Sequence, residues 1–377
     1  MLDTIKLTLS SGMFEILDTK LFQRETMNAS RGYFTLVQNP TKNELKSGFY
    51  KPRLTLTKRH NTTGRFEPTL SIELSLPKLL FGNNFDELVN EDFEAILGLL
   101  QTRLKDMGIR IFTVLLRSAP VSAIHYSKNI PLTDGSTPHY LISKIREANI
   151  RLFLDVNQTD YRNDGHSYKW HASSYEVAFY DKIKDLEMAR RGEKRTIEHD
   201  NPVQMNLFEE LQNRKRLEVL RMEARLNNRQ KIKQLFKTLN IQSNLTFIEL
   251  FNSEISQKVL LYYIDELEKN RLALFDYKQS SPKELLSDMI INNPSLGLKK
   301  TLQLFGMKQA LDASNPRELR AILGKYSTRS WYRVIAEAKT IKLPQAKSPL
   351  LIVRNHITSY TPLKLIDFRE QLLNNDK

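Results

Sequence analysis

Apolar and polar residues alternate in several short segments of the first 240 residues. Alternation with a period of two is typical of strands that bury one face of a sheet. The pattern therefore predicts a largely antiparallel sheet. The predicted strands are Ile5–Ser10, Leu54–Lys58, Leu70–Leu76, Arg110–Leu116, Val121–Tyr126, Ile150–Asp155, Tyr175–Tyr180 and Leu217–Leu226.

Helical spacing interrupts the strands at Phe85–Asp106 and Leu141–Ala148 and prevails after residue 240. The chain is therefore predicted to be an α+β protein, with a sheet-based domain over residues 1–240 and a helical domain over residues 241–377. The helices predicted in the second part are Thr246–Ser253, Ser256–Ala273, Pro282–Ile291, Leu296–Leu311, Pro316–Gly324 and Arg329–Thr340. Ser281 and Asn315, each followed by proline, have the sequence of helix caps.

The composition narrows the possible partners. Lys and Arg number 57 against 43 Asp and Glu, which gives a formal charge of +14 and favours a polyanion such as nucleic acid. The absence of cysteine excludes disulfides, thiolate nucleophiles and Cys-ligated zinc, so oxygen and imidazole ligands for Mg²⁺ or Mn²⁺ are favoured. No apolar run of about 18 residues and no signal peptide is found, and we therefore expect a cytoplasmic protein without a membrane partner.

The segment Val219–Leu226 carries the most informative pattern. Its polar face has Glu223 between Arg221 and Arg225, while Leu, Met and Ala occupy the other face. Such a strand could present a metal ligand beside two phosphate-binding cations. It could equally be a half-exposed strand with a solvated row of ion pairs.

Three other strands carry polar groups of chemical interest, namely Glu73, His125 and Tyr180. Together with Glu223, they would suit metal-assisted phosphoryl transfer with a tyrosine nucleophile. A phenol has an ordinary pKa of about 10, so it needs a nearby cation or base to react at neutral pH. Each of these residues also has a structural interpretation, as a solvated, hydrogen-bonded or packing side chain.

Five segments resemble successive blocks of the filamentous-phage gene II replication-initiation proteins. They are PTLSIELSLPKLLFGNNFDEL from Pro68, SAIHYSK from Ser122, SSYEVAFYDKIKDLE from Ser173, VLRMEARLNNRQKIKQLF from Val219, and FGMKQALDASNPRELRAILGKYSTRSWYRVIAEAKTI from Phe305. The resemblance covers roughly residues 65 to 345. The succession of the blocks in one order makes it specific.

The resemblance implies a rolling-circle replication initiator with a divergent initiator-type nuclease sheet. Such a nickase cuts one strand at the origin of a phage or plasmid and leaves a 3′-hydroxyl for the host replication machinery. It later cuts and rejoins the displaced single strand. Residues 1–240 would be the nicking and joining endonuclease domain, and residues 241–377 a DNA-binding or accessory domain.

The resemblance also implies residue roles. Glu223 and His125 match motif positions that suggest metal ligands for Mg²⁺ or Mn²⁺, with Glu73 as a third. The chain departs from the wider His-hydrophobe-His pattern of related endonucleases, because it has no His-x-His triplet. Tyr180 matches the tyrosine of the Tyr-Asp-Lys block, and Lys182 could lower its pKa or hold a phosphate.

Two other tyrosines remain candidates for the nucleophile. Tyr168 would share a strand face with His166 and with Trp170, which could stack on a base, although a surface hairpin would give the same pattern. Tyr263 lies in an amphipathic segment where core packing is the simpler interpretation. The order of preference is Tyr180, then Tyr168, then Tyr263.

The predicted DNA-binding residues are Arg221, Arg225, Lys128 and Arg333. Arg329 and Arg333 share one face of a predicted helix that could enter a major groove. An apolar stripe that includes Trp331 occupies the opposite face, so ordinary packing would also explain this helix.

Two other functional classes remain open. A non-catalytic origin-binding or RNA-binding protein would have the same charge, but it would lack metal-dependent strand cleavage. A conjugative relaxase would share the chemistry, but it would usually carry a histidine cluster that this chain lacks.

Overall fold

The computed structural model describes residues 1–23, 26–28, 33–41, 44, 50–60, 66–148, 159–162, 164–185, 218–270, 281–313, 316–323, 326, 328–344, 348 and 350–364. The strands within these residues, β1 to β12 in chain order, are Leu2–Leu9, Glu15–Ile16, Thr26–Asn28, Tyr33–Gln38, Arg53–His60, Phe66–Ser75, Ile109–Arg110, Val121–Pro131, Thr159–Arg162, Ser167–Ala172, Tyr175–Asp181 and Val219–Leu226.

The helices α1 to α12 are Leu76–Phe81, Phe93–Asp106, Thr113–Arg117, Pro138–Ala148, Arg229–Thr238, Phe247–Leu250, Ser253–Asn270, Pro282–Asn292, Leu298–Ala313, Pro316–Leu323, Thr328–Ala338 and Leu350–Ser359. Two short 3-10 turns, Thr19–Leu21 and Asn90–Asp92, precede β3 and α2. Within the described part of the chain, no helix is long and apolar enough to cross a bilayer.

Ten of the described strands form one sheet, in which every pair of neighbours runs antiparallel. The strand order is β3-β4-β5-β6-β1-β8-β12-β11-β10-β9, and β2 pairs separately with β7. The strands β1, β8, β12 and β11 therefore lie side by side in the middle of the sheet. The predicted α+β class and the antiparallel sheet are confirmed.

The sheet has one apolar and one polar face. On β1, Ile5 and Leu7 are fully buried, whereas Thr4, which precedes them, and Lys6, which lies between them, are partly exposed. The alternation continues across the sheet because directly paired residues of antiparallel strands point to the same side. Helices α4, α5, α7 and α12 contact the central strands and share a core with the apolar face.

A second, smaller core lies among helices α8 to α11. It contains Leu285 of α8, Leu304 of α9, Leu319 of α10 and Trp331 of α11, together with neighbouring apolar residues. Helices α6, α7 and α12 instead belong to the core of the sheet. The unit predicted over residues 241–377 is thus divided between two cores.

The segment Arg110–Leu116 is not a strand, in contrast to the prediction. β7 ends at Arg110, and α3 begins at Thr113. The side chain of Gln101 on α2 donates a hydrogen bond to the Ile111 carbonyl and accepts one from the Thr113 hydroxyl, which holds the turn between the two elements. A short apolar run suits either a strand or a helix, so the pattern alone could not decide.

Other predicted boundaries have mixed outcomes. The helix predicted over Phe85–Asp106 begins only at Phe93. The start of α8 is confirmed, because the Ser281 hydroxyl accepts a hydrogen bond from the Glu284 backbone and Pro282 opens the helix. The strand predicted over Ile150–Asp155 lies outside the described residues.

Candidate functional site

Three rows of side chains cross the polar face at the middle of the sheet. Each row joins one residue of β11, one of β12 and one of β8, which are paired directly opposite one another. From β11 through β12 to β8, the rows are Tyr180, Arg221 and Asn129, then Ala178, Glu223 and Ser127, then Glu176, Arg225 and His125. The alternation predicted from the sequence for these three strands is confirmed.

Glu223 lies at the centre of this arrangement and is almost fully buried, with 2% of its surface exposed. The guanidinium of Arg225 donates two hydrogen bonds to Glu223 Oε2, the one from Nε over 2.9 Å. Nη2 of Arg221 lies 3.7 Å from Glu223 Oε1. Burial raises the pKa of the Glu223 carboxyl, but Arg225 and Arg221 outweigh this effect and lower the pKa to about 2. Glu223 is therefore ionised at neutral pH.

The ion pairs continue along the polar face toward β10. Nη1 of Arg225 lies 2.8 Å from Glu176 Oε1, and Nζ of Lys169 lies 2.9 Å from Glu176 Oε2. Arg225 is the most accessible cation of the cluster around Glu223, with 36% of its side chain exposed. Arg225 could therefore bind an anion at the surface and keep its hydrogen bonds to Glu223.

Arg221 is buried and held from several sides. Its Nη1 donates to the Asn84 carbonyl over 2.9 Å and to Asn129 Oδ1 over 3.2 Å, and its Nη2 donates to Ser127 Oγ over 3.0 Å. Nη2 also lies 3.1 Å from Asp3 Oδ1. Its Nε atom is buried and makes no hydrogen bond to the described residues. The Arg221 guanidinium thus keeps one unused donor in the row that it shares with Tyr180.

Tyr180 is partly exposed on the same face, directly opposite Arg221. Desolvation raises the pKa of its phenol well above the ordinary value, and the negative charge of Glu223 adds to the effect while Arg221 opposes it. The phenol is consequently protonated in this arrangement. It would become a nucleophile only when a base or an added cation offsets those two effects.

His125 lies opposite Arg225 on one side and Thr4 of β1 on the other. Its imidazole is partly exposed. Desolvation lowers the pKa of the imidazole, with Glu223 opposing the effect and Arg225 adding to it. A neutral imidazole can accept a proton or bind a metal ion, so either role is chemically open to His125 at neutral pH.

Glu73 is not brought together with His125 and Glu223. It lies on β6 opposite Lys6, two strands away from β8, and its carboxylate forms an exposed ion pair with Lys6 at 3.7 Å. The Glu73 carboxylate is thus engaged by Lys6 and not by the polar groups of β8 and β12. Among the described residues, no three His, Asp or Glu side chains are gathered so that they could share a metal.

Tyr168 and Trp170 lie on the apolar face and inside the core. Tyr168 is fully buried, and the Trp170 ring stacks on Phe179 with centroids 5.8 Å apart. Neither ring can meet a nucleic acid in this structure. Tyr263 of α7 is buried as well, and its ring stacks on Tyr175 at 5.9 Å.

The two predicted lysines of the site are both buried. Lys182 donates a hydrogen bond from Nζ to Asn84 Oδ1 over 2.8 Å, so it shares a partner residue with Arg221. Lys128 lies on the apolar face opposite Met222, where its ammonium pairs with the buried Glu87 and donates to the Thr361 carbonyl over 2.7 Å. Lys128 is therefore turned away from the polar face.

Sequence reasoning missed Asp3 and Asn84. A register shift between Leu2 and Thr4 brings the Asp3 carboxylate to Arg221, and only the opposite charge of these side chains hinted at a pair. Asn84 lies in the loop after α1 and accepts hydrogen bonds from Lys182 and from Arg221. Asn84 lies inside the resembling segment that starts at Pro68, but no pattern in that segment assigned it a role.

Comparisons of this chain with family models, with curated proteins and with solved structures give no significant match. The geometry of the polar face and the motif resemblance therefore carry the functional argument.

Proposed function

We propose that this protein is a rolling-circle replication initiator that nicks one strand of an origin in the cytoplasm, with Tyr180 as its nucleophile. The observation that carries the proposal is that Tyr180, Arg221, Glu223 and His125 lie on one polar sheet face, on three adjacent strands. The motif resemblance to filamentous-phage gene II proteins supports the same function, with phage or plasmid origin DNA and host replication proteins as partners.

The proposed reaction is a transesterification. The Tyr180 oxygen forms a bond to phosphorus and loses its proton, while the bond between phosphorus and the 3′ oxygen breaks and that oxygen gains a proton. The 5′ end remains on the enzyme as a phosphotyrosine ester, and the 3′-hydroxyl is free to prime synthesis. Attack of a 3′-hydroxyl on the ester reverses the step and joins strands.

Three side chains of the polar face can contribute to this reaction. Arg221 lies opposite Tyr180 and can stabilise negative charge on the phenol or on the phosphate with its unused Nε donor. His125 lies two strands across the sheet and two rows along from Tyr180, so it could exchange a proton with the DNA strand or with water but not directly with the phenol. Arg225, which is partly exposed, can hold the neighbouring phosphate of the strand.

A divalent ion would polarise the scissile phosphate when bound. Glu223 and His125 are the described residues that could hold it, but both oxygens of Glu223 already face guanidinium groups. Binding would require Arg221 or Arg225 to turn from the carboxylate to the phosphate.

A second function, non-catalytic nucleic-acid binding, has an observation in its favour. The two arginines neutralise the charge of Glu223, and the phenol of Tyr180 is protonated. A network of ion pairs with a purely structural role would have the same properties. A binder would use Arg225 and Lys169 without any cleavage.

The test uses a supercoiled plasmid that carries the DNA flanking the protein's own gene, with Mg²⁺ or Mn²⁺. We expect nicked circles from the wild type and from Tyr168→Phe, whose hydroxyl is buried. Tyr180→Phe should lower nicking roughly 10³-fold or more, the scale on which loss of a nucleophile acts. Equal nicking by the two tyrosine variants would refute the role of Tyr180, and no nicking by the wild type would favour the binder.

A further inference from the structure

The helices α8 to α11 form an insertion within the helical layer of the sheet. In the sequence, they come after α7 and before α12, and these two helices pack against each other. The Arg354 guanidinium on α12 binds Asp265 and Glu268 of α7, and Gln257 of α7 donates to the Ile357 carbonyl over 3.0 Å. Helices α7 and α12 therefore contact each other directly in the helical layer on the sheet, without help from the inserted helices.

The inserted unit, residues 281–344, is also closed on itself. Asn293 after α8 donates to the Lys342 carbonyl over 2.8 Å and accepts from the Lys342 backbone over 2.9 Å. This pair of hydrogen bonds joins the first helix of the unit to the segment that follows its last helix. The unit has its own core, which includes Leu304, Leu319 and Trp331.

Helices α10 and α11 are two short helices that follow each other closely in the chain, as the two helices of a helix-turn-helix do. Four positions that include Gly324 separate the end of α10 at Leu323 from the start of α11 at Thr328. Trp331 and Ile335 of α11 turn into the core of the unit. On the opposite side of α11, the side chains that the structure describes reach the surface and could meet a partner.

The free side of α11 is basic. Arg329 and Arg333, one helical turn apart, are both exposed, and Ser330 between them is exposed as well. The acid of this helix, Glu337, is turned toward α9, where it lies 3.9 Å from Lys300. The whole inserted unit contains eleven Lys and Arg against five Asp and Glu. Its charge is complementary to a polyanion.

We infer that the inserted unit binds duplex DNA, with the first two turns of α11 in the major groove. An α-helix fits the major groove of B-form DNA, whereas the deep, narrow groove of A-form RNA excludes it. Arg329, Ser330 and Arg333 lie at the second, third and sixth positions of α11, the end that reads bases in helix-turn-helix proteins. This inference does not depend on the nicking reaction of the sheet.

The test measures binding of the full chain to a mixed-sequence DNA duplex of roughly 30 base pairs, about three helical turns. Fluorescence anisotropy is recorded over a series of salt concentrations. The double variant Arg329→Ala, Arg333→Ala should bind roughly tenfold more weakly, and its log–log salt slope should fall by about 2. The matched control is Lys283→Ala, Lys299→Ala, which removes two exposed cations from α8 and α9.

Equal weakening by the two double variants would overturn the inference, because it would show binding to the charge of the whole unit. Undiminished binding by the α11 variant would overturn it as well. Double-stranded RNA of the same length should compete poorly, and equal competition would also contradict groove insertion. The binding assay contains no cleavage step, and the control variant Lys283→Ala, Lys299→Ala should still nick the supercoiled plasmid if the sheet has the proposed activity, so failure of one proposal is separable from failure of the other.

Discussion

Two buried carboxylates in the described part of this protein are matched by nearby cations. Glu223 faces Arg221 and Arg225, and Glu87 pairs with Lys128. Moving a carboxylate out of water costs several kcal/mol, and only close opposite charges and hydrogen bonds offset that cost. Both sets of ion pairs are therefore part of the fold, whatever else the polar face does.

The first prediction concerns Lys128. Lys128→Ala should lower the free energy of unfolding by about 3–5 kcal/mol, because it leaves the Glu87 carboxylate buried without its cation. Lys6→Ala removes an exposed partner of Glu73 and should cost less than about 1 kcal/mol. Urea denaturation measures both values. Similar losses in the two variants would show that Lys128 is solvated, as a DNA-binding residue would be.

The second prediction concerns acid. The folded pKa of Glu223 is about 2 against an ordinary value of 4.5, so its ionised form stabilises the fold above pH 4.5. That stabilisation is lost as the pH falls through the interval from 4.5 to about 2. The gap in unfolding free energy between wild type and Glu223→Gln should therefore shrink over this interval, in chelator-treated samples. A gap that stays constant would contradict the proposed ion pairing.

The sequence predicts which residues share a face, but not what covers them. Alternation placed His125, Tyr180 and Glu223 on polar faces correctly, because a period of two is a local property of a strand. The same alternation puts Lys128 on the opposite face from His125. The sequence did not reveal the partner of Lys128, because Glu87 lies 41 residues away in the chain. Without that partner, Lys128 could be interpreted as a DNA-binding residue.

At the scale of elements, two packed cores share one chain. The sheet and its helices bury Trp170, whereas the inserted unit buries Trp331. These are the two tryptophans of the protein. Each core therefore carries its own fluorescent reporter.

The third prediction uses these reporters. Trp331→Phe leaves Trp170 to report on the sheet, and Trp170→Phe leaves Trp331 to report on the inserted unit. We expect the Trp331 signal to change at a lower urea concentration, because the smaller core buries less apolar surface. Coincident transitions in the two variants would show that the cores unfold as one cooperative unit.

The elements themselves were only partly predictable. Regular patterns with caps, such as Pro282–Asn292, were confirmed, whereas α5 and α12 were not predicted. The boundary expected near residue 240 followed the change from strands to helices. That change does not coincide with a change of core, because α7 buries Leu260 and Ile264 against the sheet. Which helices cover a sheet depends on long-range packing that local periodicity does not encode.

At the scale of the whole molecule, we propose two contacts with DNA. The polar face of the sheet would hold the strand that is cut, and the inserted unit would hold duplex nearby. The formal charge of +14 suits both contacts and would speed association with DNA at low salt. Cleavage at a chosen place would then require both parts, while cleavage chemistry would require only the sheet.

The most direct test of the central claim is to identify the residue that becomes attached to DNA. The protein is incubated with the plasmid and metal ion, digested with nuclease and trypsin, and analysed by mass spectrometry. Tyr180 and Tyr168 fall in different tryptic peptides, Trp170–Lys182 and Asn163–Lys169. The account predicts a nucleotide adduct on Trp170–Lys182, located by fragmentation to Tyr180 and not Tyr175. An adduct on any other tyrosine would contradict it.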